Sequence, residues 1–270
     1  MRAVFMAVLI STPAMLLPVV STESQQAVVL LAIFGAALTF FEYGSAAPGL
    51  VEFRDAPPYN RIRFAALFVI VFLVSVILSG VKTAGPMSEL IQATGALVGH
   101  LLDFPGSPVR LMLATLSSDS DAEQVSRLRS ATGLSYLLSL LVMGGFALLL
   151  RLRAWPGRDR AFNVWINLPT FDPGAGGDVV HRLVRDGRAN IVLGLLLPFV
   201  VPVLMQAASL QLDMAARGSA QSLIWMVAAW AFLPASLIMR GAAMGRIAHL
   251  IRDKRRATFA ASQDDFFQPV

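Results

Sequence analysis

The chain has 270 residues, of which 56% are hydrophobic and 14% are charged. Roughly a quarter of the residues of a soluble domain carry charge, so this composition excludes a soluble fold and indicates a protein of the lipid bilayer. The absence of cysteine excludes disulfides, iron–sulfur clusters and cysteine nucleophiles. The net charge of +5 does not indicate a nucleic acid partner, because basic residues beside apolar segments contact anionic lipid headgroups and set the orientation of the spans.

Six apolar stretches approach the length of a membrane span, which needs about 20 residues to cross a core of roughly 30 Å. None has an ionisable residue away from its ends, and they cover residues 4–20, 25–43, 62–81, 131–150, 191–210 and 222–239. They predict an all-α integral membrane protein, a bundle of about six transmembrane helices in one polytopic domain over 1–256. The first stretch could be a signal peptide, which would leave five spans. No small-x-small cleavage site follows it before Ser24, so a retained span is favoured.

Basic residues near span ends resist translocation, so their distribution sets the orientation. With six spans and an inside start, 17 of the 22 lysines and arginines fall on one side and five on the other. This asymmetry predicts that both termini are cytoplasmic. Only two of the basic residues are lysine, Lys82 and Lys254. Together with abundant alanine, this bias favours a GC-rich bacterial genome and hence the bacterial inner membrane.

The first cytoplasmic loop, residues 42–63, is rich in charged and aromatic residues and in proline. Two adjacent prolines stiffen it towards an extended path. We predict an ordered loop that packs against the second cytoplasmic loop or a partner, and its defining residues are Glu52, Arg54, Asp55, Pro57, Pro58 and Tyr59. Carboxylates beside arginines can also perform acid–base work, so an enzyme at the inner leaflet that uses Glu42, Glu52, Asp55 or His181 is the less favoured alternative.

An external helix is predicted over residues 87–104, with apolar residues on one broad arc and polar residues on the other. This pattern is typical of a helix that lies in the membrane interface. On it, Gly95 and Gly99 form a small-xxx-small step that allows another helix to approach closely. His100 and Asp103 could share a metal ion, but Glu89 is too far along the helix axis to complete the site, so no metal is predicted.

A cytoplasmic amphipathic helix is predicted over residues 178–190, with Asp178 as its N-cap. Its apolar side would dip into the inner leaflet, while Arg182, Arg185 and Arg188 would meet anionic headgroups. Trp155 and Trp165 support this interfacial interpretation, since indoles favour the headgroup level. A docking surface for an acidic protein partner is the alternative.

The last span is followed by Gly241 and Gly245, which are predicted to pack against another helix. A basic extension then predicts contact with lipid headgroups or a partner, through Arg252, Lys254, Arg255 and Arg256. Residues 257–270 are mostly small and polar and include Phe266 and Phe267, and we expect a mobile tail.

Ion-coupled transport leaves ionisable residues inside the membrane, and haem in a bundle needs axial histidines. The predicted spans have no ionisable residue at mid-depth and no histidine. We therefore expect no catalytic centre, cofactor or metal, and no nucleic acid partner. The favoured hypothesis is a scaffold, accessory or assembly protein that binds lipids and other integral membrane proteins, with an energy-transducing complex as one setting. The alternative is a transporter or channel for a neutral or lipid-like solute, with hinges at Pro198, Pro202 and Pro234.

Overall fold

Helices make up the fold, as the sequence predicts. The computed structural model describes residues 1–46, 48–79, 85–116, 120–152, 155–156, 163–172, 174, 176–212 and 219–266, without the side chains of 164–165, 209–212 and 261–266. Within these residues the elements are α1 (Arg2–Leu16), α2 (Thr22–Gly44), α3 (Tyr59–Leu78), α4 (Pro86–Leu102), α5 (Pro108–Leu113), α6 (Ala122–Leu152), α7 (Val164–Asn167), α8 (Val179–Leu212) and α9 (Ala220–Phe266). Five of them, α2, α3, α6, α8 and α9, are long and apolar enough to cross a membrane. The all-helical membrane fold is thus confirmed.

The first helix is shorter than the stretch 4–20 that the sequence predicts as a span. Helix α1 has 15 residues, or about 22 Å of helix, against roughly 30 Å for the hydrocarbon core. It stops at Leu16 because Leu17 precedes Pro18, and a residue before proline is disfavoured in the helical region; Leu17 is extended, with φ −76° and ψ 136°. At its other end, the Arg2 guanidinium lies 4.0 Å from the centroid of the Tyr43 ring. The start of α1 therefore lies beside the end of α2.

Helices α3, α6 and α9 form the centre of the bundle, and their apolar side chains make one continuous core. Helix α1 packs on α3 and carries α2 on its outer side, whereas α8 runs along α9. Helix α4 packs against α6 at the end opposite the loop 45–58. Two long polar connections, 45–58 and 153–178, consequently meet at one end of the bundle.

The helix predicted separately over 178–190 is corrected to the first part of α8, which continues without a break to Leu212. Asp178 does cap it, since its carboxylate accepts the His181 N–H at 3.2 Å. The apolar side does not need lipid, because Val180 and Leu183 are buried in a protein core beside α9. This segment extends a span instead of forming an independent surface helix.

Helix α9 also passes beyond its predicted span. Its 47 residues correspond to about 70 Å of helix, far more than a bilayer core requires. The segment 257–270, expected to be a mobile tail, continues the helix as far as Phe266, while 267–270 lie outside the described residues. Helices α8 and α9 together therefore form an antiparallel hairpin that extends past the apolar part of the bundle.

Two hydrogen bonds join the helices near their prolines. Pro202 has no N–H, which leaves the Pro198 carbonyl four residues earlier without its helical donor. The indole N–H of Trp230 on α9 donates to that carbonyl at 3.1 Å. On the other side of α9, the Ser139 hydroxyl donates to the Ala231 carbonyl at 2.8 Å. These contacts fix the proline segments against neighbouring helices, as is usual for proline inside a membrane.

Replacing Trp230 with phenylalanine should lower the free energy of unfolding by about 1 kcal/mol beyond the loss of ring area, since it leaves the Pro198 carbonyl unsatisfied. The control is Trp225→Phe, because the Trp225 indole has no hydrogen-bond partner in the described part of the chain. Unfolding in mixed micelles, followed by circular dichroism, measures the difference. Equal losses in the two variants would contradict the role assigned to this hydrogen bond.

Candidate functional site

The most elaborate part of the molecule is the arginine-rich end, which we define as the loop 45–58, the described residues of 153–178, and the adjoining parts of α8 and α9. It has its own hydrophobic core, distinct from that of the spans. The buried members of this core are Phe53, Ala56, Tyr59, Phe146, Trp155, Leu168, Phe171, Val180, Leu183, Met239, Ala243, Met244, Ile247 and Ala248. Since polar loops avoid lipid-exposed positions in the hydrocarbon, this end projects from the membrane.

Four aromatic rings form the centre of this end. The Phe53 and Tyr59 rings lie 4.4 Å apart, and the Phe146 and Trp155 rings lie 5.8 Å apart. The Trp155 indole N–H donates to the carbonyls of Ala56 and Pro57, each at 3.2 Å. Trp155 is only 4% exposed, so it holds two loops together rather than lying at the lipid interface as predicted; the Trp165 side chain is outside the described residues.

The backbone of Phe53 is strained, with φ at +52°, a region that non-glycine residues avoid at a cost of about 1–3 kcal/mol. Asn167 holds it in place from the second loop. The Asn167 carbonyl accepts the Phe53 N–H at 2.6 Å, and its side-chain oxygen accepts the Asp55 N–H at 3.0 Å. Asn167 is 4% exposed, so both hydrogen bonds are shielded from water. The conformation of the first loop thus depends on the second.

An ion pair connects both loops to α9. The Arg240 guanidinium donates to the Glu52 carboxylate through Nε at 2.6 Å and Nη2 at 2.7 Å, and the Thr170 hydroxyl donates to it at 2.6 Å. Burial raises the pKa of Glu52, but the hydrogen bonds from Arg240 and Thr170 outweigh burial and hold that pKa below its ordinary value. Glu52 is therefore ionised near neutral pH and poorly matched to general acid–base work.

The rest of the loop 45–58 is closed by its own polar contacts. The Glu42 carboxylate accepts the N–H groups of Gly49, Leu50 and Val51 at 2.9–3.2 Å. Arg54 donates to the carbonyls of Glu42 and Ser45 at 3.2 and 2.6 Å. Asp55 pairs with Arg54 at 3.2 Å and stays 53% exposed. Among the described residues, no three His, Cys, Asp or Glu side chains lie close enough together to hold a metal ion.

The predicted basic contacts divide into two groups. Arg182 is half-buried, with its guanidinium 4.9 Å from the Phe171 ring centroid, and Arg255 pairs with Asp178 at 2.6 Å. The others point to the surface: Arg185, Arg188, Arg252, Lys254 and Arg256 are exposed. Arg185 also pairs with Asp186, at 3.0 Å. Arg255 stays 51% exposed beside Asp178, and Arg188, Arg252, Lys254 and Arg256 are exposed to a partner or to lipid.

The predicted packing glycines also differ from one another. A methyl group at Gly241 would overlap the Gly187 carbonyl and lie 2.7 Å from Ile191 Cγ1, whereas one at Gly245 would have nothing within 4 Å. At Gly241, α9 therefore approaches α8 closely, whereas the prediction of packing through Gly245 is corrected, because a side chain there would face open space.

At the opposite end, Gly95 and Gly99 lie against α6. A methyl group at Gly95 would lie 3.3 Å from Ser130 Cβ, and one at Gly99 would lie 2.7 Å from the Arg129 carbonyl oxygen. Asp103 accepts from Arg110 at 2.7 Å and from Arg129 at 2.9 Å, so this carboxylate joins α4, α5 and α6. The helix predicted over 87–104 is a packed part of the bundle that keeps an exposed apolar side, formed by Leu90, Leu97, Leu101 and Phe104.

The first loop does contact the second, as the sequence predicts, through Asn167 and Trp155. The ion pair with Arg240 is not predicted. Arg240 is one of the 17 basic residues on the predicted cytoplasmic side, and no local pattern pairs Arg240 or Thr170 with Glu52. No family model, curated protein or solved structure matches this chain. Its function must therefore be inferred from the arrangement of its own residues.

Proposed function

We propose that this chain is a non-enzymatic scaffold or accessory protein of the bacterial inner membrane that binds other membrane proteins, with its arginine-rich end in the cytoplasm. The observation that carries this proposal is the ordered state of that end. Two loops, separated by about a hundred residues, are fixed to each other and to α9 by Asn167, Trp155 and the Glu52–Arg240 pair. A simple connector between spans does not require such an arrangement.

The polar groups of this end serve one another rather than an internal ligand. Two of the three carboxylates of the first loop that could serve catalysis, Glu42 and Glu52, accept several hydrogen bonds each, and the third, Asp55, pairs with Arg54. Because these hydrogen bonds hold the loops in one conformation, the surface of this end has a fixed shape. A surface of fixed shape lowers the entropic cost of binding a protein partner, because fewer side chains and loops must be ordered on contact.

The cytoplasmic placement is supported by charge and by contacts. The same end carries most of the basic residues, as the positive-inside rule requires of a cytoplasmic face. Arg2 lies beside Tyr43, and α9 packs against the loops, so the start of α1 and the last part of α9 lie at this end of the bundle. A bacterial inner membrane agrees with the preference for arginine over lysine.

The alternative of a transporter for a neutral solute has less support. It required hinges at Pro198, Pro202 and Pro234, yet the carbonyl that Pro202 leaves free is bonded to Trp230 and the Ala231 carbonyl near Pro234 is bonded to Ser139. Opening such a hinge would break hydrogen bonds in a medium that offers no replacement.

The proposal is tested by purifying the tagged chain in mild detergent and quantifying stoichiometric membrane proteins that co-purify with it. Asn167→Ala should reduce the amount of partner because it releases the first loop, whereas Asp55→Asn, a change at an exposed carboxylate, should not. A lone bundle that takes up a neutral solute after reconstitution would overturn the proposal in favour of transport. Equal partner yields from both variants would separate partner binding from the arginine-rich end.

A further inference from the structure

One face of α9 is buried along α8 and then continues into solvent. Gly241, Met244 and Ala248 are buried and follow one another in steps of three and four residues. Further steps of four, three and four residues along the helix reach Arg252, Arg255 and Phe259. The Asp178–Arg255 pair marks where α8 begins, so α8 covers this face no further. Beyond that point the face is exposed, and Phe259 is 73% exposed.

The chemistry of the exposed face is basic with one aromatic residue. Arg252, Arg255, Arg256 and Phe259 lie at spacings that place them on one side of a helix, while Lys254 lies on the opposite side. The surrounding segments 178–190 and 240–256 carry nine lysines and arginines against three aspartates. Arginines around an exposed aromatic ring are typical of protein interfaces, where these residue types supply most of the binding energy.

Lipid headgroups are poorly placed to cover this face. The loops pack beside α9 from Met239 to Ile247, so the hydrocarbon must end near Arg240. Arg252 and Phe259 follow Arg240 by about 18 Å and 28 Å along the helix axis. The headgroup layer is only about 5–8 Å thick on each side of the membrane. An upright α9 therefore carries these residues past the lipid surface.

We propose that this face of α9, the basic arm formed by Arg252, Arg255, Arg256 and Phe259, binds an acidic helical segment of a protein partner. The partner helix continues the packing that α8 provides up to Val179, with its carboxylates against the arginines and an apolar residue against Phe259. This inference rests on the proposed function and adds to it the chemistry of one partner surface.

The absence of cysteine allows a single fluorophore at Ala257→Cys in the full chain, held in nanodiscs of zwitterionic lipid. The probe is a synthetic helical peptide with a leucine seam flanked by glutamates, and its binding is measured by anisotropy. We expect salt-sensitive binding that Arg256→Glu and Phe259→Ala each weaken about tenfold, as for interface hot spots. Lys254→Glu, an equal charge reversal on the opposite side, should weaken it less than about threefold.

Four results would overturn the basic arm. One is no peptide binding, and another is an equal loss in Arg256→Glu and Lys254→Glu, which would mean attraction by net charge alone. The third is quenching of the Ala257→Cys label by headgroup-borne quenchers in anionic nanodiscs. The fourth is tighter binding of single-stranded RNA than of the peptide. If a stoichiometric membrane partner still co-purifies in such a case, the basic arm fails while the proposed function stands. If no stoichiometric membrane protein co-purifies with the unmodified chain, the proposed function itself is overturned.

Discussion

Replacing Gly241 with alanine is expected to lower the free energy of unfolding by about 1–3 kcal/mol, as overpacking does in a close-packed interior. The added methyl group would overlap the Gly187 carbonyl, which is backbone and cannot turn aside, and would approach Ile191 Cγ1 at 2.7 Å. Helices α8 and α9 would have to move apart around Gly187 and Gly241. Alanine also stabilises a helix by about 0.8–1.0 kcal/mol relative to glycine, so the observed loss understates the cost of the clash.

The matched control is Gly245→Ala, one turn further along the same helix. Nothing lies within 4 Å of the added methyl group there, so only the gain in helix propensity remains, and stability should be unchanged or rise by up to about 1 kcal/mol. Both variants are compared by unfolding in mixed micelles. Similar behaviour of the two would show that α8 and α9 do not meet at Gly241.

Replacing Glu52 with glutamine should lower the free energy of unfolding of the arginine-rich end by about 2–3 kcal/mol. Removing one partner of a fully buried ion pair costs about 3–5 kcal/mol. We expect a cost at or below the low end of that range, because the Arg240 side chain is 24% exposed and keeps part of its hydration. The loops would lose their attachment to α9. Limited proteolysis in the loop 45–58 and thermal unfolding measure the two effects.

Asp55→Asn is the matched control, since it removes a neighbouring carboxylate from the same loop. The Asp55 side chain is 53% exposed and its pair with Arg54 lies in water, where such a pair contributes about 0–1 kcal/mol. Proteolysis should therefore be unchanged. Equal cleavage of the two variants would contradict the assignment of Glu52 as the attachment of the loop.

The same ion pair predicts a pH dependence with a definite sign. Because folding lowers the pKa of Glu52 from about 4.5, its contribution is complete above that value and is lost as the pH falls through the folded-state pKa. We expect the arginine-rich end to keep its protection between pH 8 and pH 5 and to lose it below about pH 4.5. In Glu52→Gln the acid-dependent part attributable to this group should disappear.

Helices and caps that depend only on residues close together in the sequence are predictable from it. Apolar runs gave α2, α3 and the membrane parts of α6, α8 and α9, because a span must satisfy its own backbone and face lipid with apolar side chains. Asp178 was recognised as an N-cap from its position before an amphipathic segment. Pro18 indicates that α1 stops at Leu16, but the predicted span 4–20 rests on hydrophobicity alone and therefore includes this proline.

By itself, the sequence determined that this is a helical membrane protein with one strongly basic face, because hydropathy and charge act through each segment separately. Only the tertiary structure decided what the segment 178–190 faces. Its apolar side suits a lipid surface and a protein core equally well, and burial of Val180 and Leu183 selects the core. The same holds for Glu52, whose partner Arg240 is 188 residues away. It holds also for Gly241 and Gly245, because an added methyl group would meet another helix only at Gly241. Contacts between distant parts of the chain depend on the relative placement of helices, and no local pattern encodes that placement.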